Sequence, residues 1–326
     1  MRFHRIARTL PVLLPLLSAV AHAQSGAENY PARPVRLIIP QAAGGATDIF
    51  IRTVIPKLSE TLGQQVVVDN RAGANGVIGD EMAVKAPADG YTFMANAIGI
   101  VMNPSLYKLN YDITRDLQGV TRLGAIDMLI GIHPSVPAKS VAELISHAKA
   151  NPNKLNYASF GIGSISHVAG EMFKQASGTQ IVHVPFKSSP LAVQETIGGQ
   201  THIVMGGISY MLPQARSGRL RGIAITAMQR NSNAPDIPTA HESGLPSFDI
   251  NAWFGTWVPA AVPKPVLAKL YDAMSKTLAA PDVRAAIDKH GYKIGGEPPE
   301  QFHQFVRREV EKFAKVLKAA GIKPEG

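Results

Sequence analysis

Short apolar runs recur along this chain, each followed by a turn and then by a stretch with helical spacing. The first run, Val35 to Ile39, is rich in branched side chains and is closed by Pro40, which predicts a buried strand. Gln41-Ala42-Ala43-Gly44-Gly45-Ala46-Thr47-Asp48 follows, and apolar positions then fall at helical spacing from Ile49 to Leu62. Gly44 and Gly45 allow a tight turn and keep side chains away from the backbone amides. Thr47 or Asp48 is placed to cap the helix. A helix start carries unpaired N–H groups and the positive end of the helix dipole, so it suits a carboxylate or phosphate. Taken alone, the stretch fits an ordinary strand-to-helix connection equally well.

The same alternation continues. Strands are predicted over Gln65 to Asp69, Tyr91 to Ala95, Met128 to His133, Leu155 to Ser159, Ile181 to Val184, Ile203 to Met205 and Leu220 to Ala227, with Trp253 to Val258 last. Helices are predicted from Val77 to Lys85, from the capping box Ser140-Val141-Ala142-Glu143 to Ala150, from His167 to Gln175, from Pro190 to Ile197, briefly around His241, and over Pro265 to Ala279. In Pro299 to Ala319 the large apolar residues Phe302, Phe305, Val306, Val310, Phe313 and Leu317 make a packing face. Strands alternating with helices imply parallel sheets with right-handed crossovers, whose ligands sit beyond the carboxyl ends of the strands. Residues 155–167 repeat the opening design, with Gly161 and Gly163 in the turn and Ser164, Ser166 and His167 at the helix start. The second α/β unit lies inside the first along the chain. We expect one domain from 24–125 with 228–326 and another from 126–227, with strands crossing near Arg122 to Asp127 and Ala224 to Met228. Two such units face to face make a clamshell whose cleft favours an anion.

At 326 residues, with 45% apolar content, the chain is long enough for two domains with full cores. It has no cysteine, hence no disulfide and no thiolate zinc site. Arg2, Arg5 and Arg8, then the apolar stretch Leu10 to Val20, then Ala21-His22-Ala23 form a secretory leader cleaved after Ala23. The apolar stretch is short for a membrane span, and no cysteine follows it for a lipid anchor. The mature protein is therefore expected in the periplasm. Removing the leader lowers the net charge of +9 by three, to +6. The remaining cations are scattered rather than interleaved with aromatics, which argues against nucleic acid and for a mild bias toward small anions.

Gly161-Ile162-Gly163 begins like a dinucleotide fingerprint, yet Ser166 stands at the third glycine and no acid ends the next strand, so nucleotide binding is rejected. No G-x-S-x-G elbow is present, and Ser166 beside His167 is not a triad because helix neighbours do not face each other. His167, His183 and His202 follow separate elements, and no H-x-x-x-H or H-E-x-x-H supports a metal. Neither metal nor cofactor is expected. His167 is a first-turn residue that either helps hold a carboxylate or packs; Lys187 is either a ligand contact or a solvated loop lysine.

The chain from Tyr30 to about Gly321 resembles the periplasmic receptors of tripartite tricarboxylate transporters, the Bug proteins. The residues that carry the resemblance are Tyr30-Pro31, Pro34-Val35-Arg36, Gly44 to Asp48, Val67 to Ala74, Asp89-Gly90-Tyr91 and Asn103 to Tyr107. Tyr157 to Ser159, Gly161 to His167, His183 to Lys187, Pro238-Thr239, Glu242 to Pro246 and Trp253-Phe254-Gly255 continue it. The resemblance implies an α/β type II periplasmic binding protein, with two α/β domains, crossing hinge strands and a ligand cleft between them. It implies a receptor rather than an enzyme, a monomer that hands a small carboxylate to permease subunits. Carried over, the binding positions are Ala43 to Asp48 in one lobe, with Ser159, Gly161 to His167 and Lys187 to Pro190 in the other. Departures from the family pattern are Gln41 and Ala43 in the first turn, Phe186, Ser188 after the lysine, Gly206-Gly207, and the apolar Ile98-Gly99-Ile100. These widen and grease the middle of the cleft, which points to a ligand with a carboxylate and an apolar body, such as an aromatic mono- or dicarboxylate of the phthalate kind. The alternatives are an orphan receptor for a signalling partner and, behind it, a secreted hydrolase working through Ser164 or Ser166.

Overall fold

The computed structural model describes residues 29–246 and 248–324. The leader expected over 1–23 lies outside them. Three parallel strands open the first sheet: β1 (Val35–Ile39), with β2 (Val66–Asn70) on one side and β3 (Thr92–Ala97) on the other. Helices α1 (Ala46–Leu62) and α2 (Val77–Val84) connect them, and α3 (Gly99–Leu106) follows β3. β4 (Leu117–Ile126) is then separated by Asp127 alone from β5 (Met128–Ile132), which belongs to the second sheet.

That sheet continues through α4 (Val141–Ala150), β6 (Asn156–Ser159), α5 (Ile165–Ser177), β7 (Val182–Pro185), α6 (Ser189–Ile197), β8 (Ile203–Gly207), α7 (Ile208–Arg216) and β9 (Arg221–Ile225). A loop-rich passage first bridges Thr239 to Ile225 and then returns to the first sheet as β10 (Ala252–Pro259). α8 (Lys264–Ala279), α9 (Pro281–Lys289), β11 (Tyr292–Ile294) and α10 (Pro299–Ala319) complete the chain. The strand orders are β11-β4-β10-β3-β1-β2 and β7-β6-β8-β5-β9. The strands of the second sheet thus all fall between β4 and β10 along the chain.

Both sheets are mixed rather than wholly parallel. β10 runs antiparallel to both β3 and β4, and β5 runs antiparallel to both β8 and β9. Both were expected as strands, at Met128 to His133 and Trp253 to Val258, but the alternation of strands and helices gives no sign of their antiparallel direction. α10 closes one face of the first sheet. Phe302, Val306, Phe313 and Leu317 are buried, and Gly255 leaves room for Phe302, since a Cβ there would lie 2.2 Å from the ring. Trp253 Nε1 donates to the buried Glu309 carboxylate at 2.9 Å.

Several expectations need correction. α1 starts on Gly45, which has no side chain to cap it, so neither Thr47 nor Asp48 is the cap. Asp48 sits inside the first turn instead, where its carboxylate accepts from the Gly44 amide at 2.9 Å. Residues around His241 form turns, not a helix. Trp253 to Val258 is not the last strand, because β11 pairs with β4 after it. By contrast, Ser140 caps α4 by accepting from the Glu143 amide, as its capping-box form requires.

Candidate functional site

Between the two sheets lies a cavity of about 680 Å³. The crossing strands supply its floor through Ile126, Met128, Ala252 and Phe254. One wall comes from the loops after β1, β2 and β3, which share the carboxyl edge of their parallel strands. The opposite wall comes from the loops after β6, β7 and β8. Helices α1, α3, α5 and α6 begin at lining residues Ala46, Gly99, Ile165 and Ser189. Four helix starts therefore face one space, each bringing positive dipole and amide hydrogens.

Of the residues expected at the site, Gln41, Gly45, Ala46, Thr47, Ile98, Gly161, Ser164, Lys187, Ser188 and Gly207 line the cavity. Ala43, Gly44, Asp48, Ser159, Gly163, Ser166, His167 and Gly206 do not. Several of those outside it have structural work. Asp48 is buried and ties the first loop together through Gly44, Arg52 Nε at 2.9 Å and Asn70 Nδ2 at 3.1 Å. Burial opposes its charge, but the donors from Arg52, Gly44 and Asn70 outweigh burial and hold its pKa below the ordinary carboxylate value. The backbone at Gly206 is covered by Tyr210, whose hydroxyl would lie 2.7 Å from a Cβ there.

The β6–α5 loop satisfies most of its own amides. Phe160 N donates to Ser166 Oγ at 2.9 Å, Gly161 N to Ser159 Oγ at 3.3 Å, and Gly163 N to His167 Nδ1 at 3.0 Å. Ser164 Oγ accepts from the His167 amide and caps α5. The amides of Gly161 and Gly163 are thus occupied rather than bare. Ser159 is fully buried and its hydroxyl meets His183 Nε2 at 2.6 Å. His183 stacks on His167 with ring centres 4.0 Å apart. Burial, helped by the neighbouring His167 charge, pushes the His183 pKa down to about 4. His202 does not join this pair; its Nδ1 lies 2.9 Å from Asn156 Oδ1.

Lys187 is the one charged residue among those that line the cavity. It is exposed, with no ion-pair partner among the described residues. The rest of the lining is largely apolar or aromatic: Tyr107, Phe160, Ile162, Phe186, Tyr210 and Phe254 stand around the space. Phe160 and Tyr210 meet edge to face at 6.5 Å. Burial raises the Tyr210 pKa, so the phenol stays neutral. The lobes touch across the cavity: Asn75 Nδ2 donates to the Gly163 carbonyl at 3.2 Å, and Tyr292 Oη bridges the Ala46 carbonyl at 2.7 Å and Ser209 at 3.0 Å.

Sequence reasoning missed Asn75, Tyr107, Phe160, Tyr210 and Phe254 as site residues, while Ser189, within the expected run Lys187 to Pro190, does line the cavity. Asn75 carried a signal, since it sits in the glycine loop 72–76 after the second strand. Tyr210 and Phe254 carried none, being placed by the register of α7 and β10.

The family model described as "Tripartite tricarboxylate transporter family receptor" matches residues 50–322. The chain belongs to this receptor family. The family and its structural neighbours are solute-binding receptors and not enzymes, and members are periplasmic binding proteins. Protein BugT of Bordetella pertussis is 32% identical over 307 residues, covering 92% of this chain and 93% of BugT. The structure of R. palustris Rpa4515 with adipate superposes with a TM-score of 0.88 at 32% identity, over 91% of this chain and all of that one. MatC from Rhodopseudomonas palustris, with bound malate, gives a TM-score of 0.81 at 30% identity, over 88% of this chain and all of MatC. Among the described residues of this tripartite tricarboxylate receptor, no helix is long and apolar enough to cross a membrane.

Proposed function

We propose that the protein is exported, its leader cleaved after Ala23, and that as a monomer it captures a carboxylate with an apolar body and delivers it to the permease of a tripartite transporter. The observation that carries this reading is the combination at one cavity of four helix starts, one unpaired lysine, no lining acid and a ring of aromatic walls. Helix-start amides and Lys187 suit the carboxylate. Rings at Phe160, Phe186, Tyr210 and Phe254 suit a flat or aliphatic body. The volume of about 680 Å³ lies in the usual range for small-molecule sites. Structural neighbours with adipate and malate fit the same chemistry. An aromatic mono- or dicarboxylate, such as a phthalate isomer, fills the apolar middle better than a short polar acid does. Gln41, Ala46, Thr47, Ser164, Lys187 and Ser188 are the polar contacts of this reading, and the two closing bodies are 24–125 with 228–326, and 126–227.

A thermal-shift screen of carboxylic acids, followed by titration calorimetry, tests it. Phthalate isomers and adipate should raise the melting temperature by several degrees and bind more tightly than citrate, malate or glutamate. Tight binding of a small amino acid with no response to any aromatic acid would refute the size argument.

A further inference from the structure

Behind the first wall lies a carboxylate to which the ligand site gives no role. Asp80, on α2, is fully buried, and its partners are all neutral: Asn96 Nδ2 at 2.6 Å, Tyr111 Oη at 3.1 Å and Asn103 Nδ2 at 3.4 Å. A buried carboxylate without a cation is costly. Ionised, it also imposes direction, because it then accepts hydrogen bonds and cannot donate them. Asn96 and Asn103 must each turn Nδ2 toward it, which aims each Oδ1 away.

Both outward oxygens lead to the cleft. Asn96 Oδ1 accepts from the Ala97 amide at 2.7 Å and from Gln41 Nε2. Asn103 Oδ1 accepts from Asn75 Nδ2 at 2.9 Å, and that same Nδ2 reaches the Gly163 carbonyl of the opposite lobe at 3.2 Å. Asn103 Nδ2 also donates to the Asn75 carbonyl at 3.2 Å. This pins a loop that would otherwise resist its shape: Gly73, Ala74, Asn75 and Gly76 have φ of 142, 45, 49 and 97°, so two non-glycine residues sit in the left-handed region. Around the cross-cleft bond the surfaces mesh. Leu106 occupies the place of a Gly163 side chain, with a Cβ there only 2.2 Å from Leu106 Cδ1, and Tyr107 Oη lies 3.4 Å from the Ile162 carbonyl.

We propose that Asp80 is a positioning residue for closure: by fixing Asn103 it holds Asn75 Nδ2 on the Gly163 carbonyl, and by fixing Asn96 it sets the face Gln41 turns to the cavity. The proposal rests on the receptor reading in one respect, that capture needs a shut cleft; shutting is measured apart from binding.

The chain has no cysteine, so dyes can be attached to cysteines introduced at the exposed Glu60 and Lys154, one on each lobe. The dye distance is followed by single-molecule energy transfer at about pH 8, alone and across an adipate titration. In Asp80→Asn either polarity of the amide chain is allowed. The closed population should fall and the adipate Kd should rise by about threefold to tenfold, while the melting temperature rises because an unpaired buried charge is gone. Asn75→Gly keeps the left-handed backbone accessible and removes only the amide, so it tests the latch even if Asp80→Asn folds poorly. It should lower the closed population alike, and Asp80→Asn should then add little. An unchanged closed population in both variants overturns the proposal, as does a full Asp80→Asn effect in the Asn75→Gly background. Closure that responds as described while no carboxylic acid binds would support the latch and sink the receptor reading alone.

Discussion

The β1–α1 loop starts its helix on Gly45, which has no side chain to place over the first-turn amides; the β6–α5 loop starts its helix on Ser164, whose hydroxyl accepts from the His167 amide. In the first loop the Gly44 amide goes to Asp48, leaving those of Ala46 and Thr47 without an intrahelical acceptor at the cavity wall. In the second, Phe160, Gly161, Gly163 and His167 all give their amides to side chains of the same loop. Similar glycine turns thus produce one jaw whose helix start carries no side-chain cap and one jaw whose loop and His167 amides go to its own side chains, with its Ile162 and Gly163 carbonyls turned across the cavity. A glycine turn before a helix marks where an anion could sit; the side chains just after the turn decide whether the amides remain for it.

The largest expected contrast between the jaws is in their response to pH. Behind the first, burial raises the Asp80 carboxyl to about 7 against the opposing donors Tyr111, Asn96 and Asn103. Unfolded, the group titrates near ~4. Between those values the folded state keeps a proton that the unfolded state has lost. This contribution is therefore full below about pH 4 and is lost as pH rises through 7; the span corresponds to about 4 kcal/mol. Behind the second jaw, burial and the His167 charge hold His183 at about 4, with Glu171 opposing and Lys174 assisting. Unfolded, it takes up a proton near ~6.5, so its contribution is present above that value and is lost as pH falls toward 4. The two slopes oppose each other across the acid range. Melting curves from about pH 4 to 8 should show Asp80→Asn more stable than the parent at the alkaline end and keeping only the acid-side loss. His183→Gln should show the reverse. An Asp80→Asn variant with the parent's pH profile would remove the carboxylate from this account.

Much of the frame was readable from residues in order. Val35–Ile39, the capping box at Ser140 and the face of Pro299–Ala319 each carry a local signal strong enough to fix their element. The crossing strands were harder. β10 was expected at Trp253 to Val258, but β4 was not: it is buried at all but Gln118, Arg122 and Ala125, so its pattern lacks the alternation that announces a strand with one wet face. At the site, the glycine positions were legible and their roles were not. Whether Gly161 offers its amide depends on Ser159 being one hydrogen bond away, which no spacing rule states. Asp80 had no signal of its own, since an acid in a short helix is ordinarily solvated.

A matched pair of prolines sharpens the comparison at the next level of effect. Ala46 and Ile165 are the first residues of α1 and α5. Proline is tolerated there because that N–H has no helical acceptor, and the preceding Gly45 and Ser164 have extended ψ of 170 and 160°. Ala46→Pro removes an amide that we assign to the ligand carboxylate and should weaken binding by about tenfold to hundredfold, the loss of a charge-assisted hydrogen bond. Ile165→Pro acts on the internally bonded jaw and should change affinity by about threefold or less. Calorimetry with the best acid of the screen reads both, and equal losses would erase the distinction between the jaws.

The smallest expected effect separates a backbone donor from a side-chain one. Lys187 is exposed and belongs to the second jaw, whose contribution of charge it supplies. An exposed ammonium paired with a carboxylate is worth about 1 kcal/mol or less and is screened by salt. Amides at the α1 start lie at a buried wall, where Gly45 and Thr47 are both buried, and salt screens them little. Lys187→Met should therefore weaken binding by about threefold to fivefold at low ionic strength and leave an affinity that no longer responds to added salt. Ala46→Pro should bind far more weakly yet keep the parent's salt slope. If Lys187→Met retained that slope, the long-range charge would have to come from elsewhere on the surface, and the second jaw would hold the ligand by shape alone.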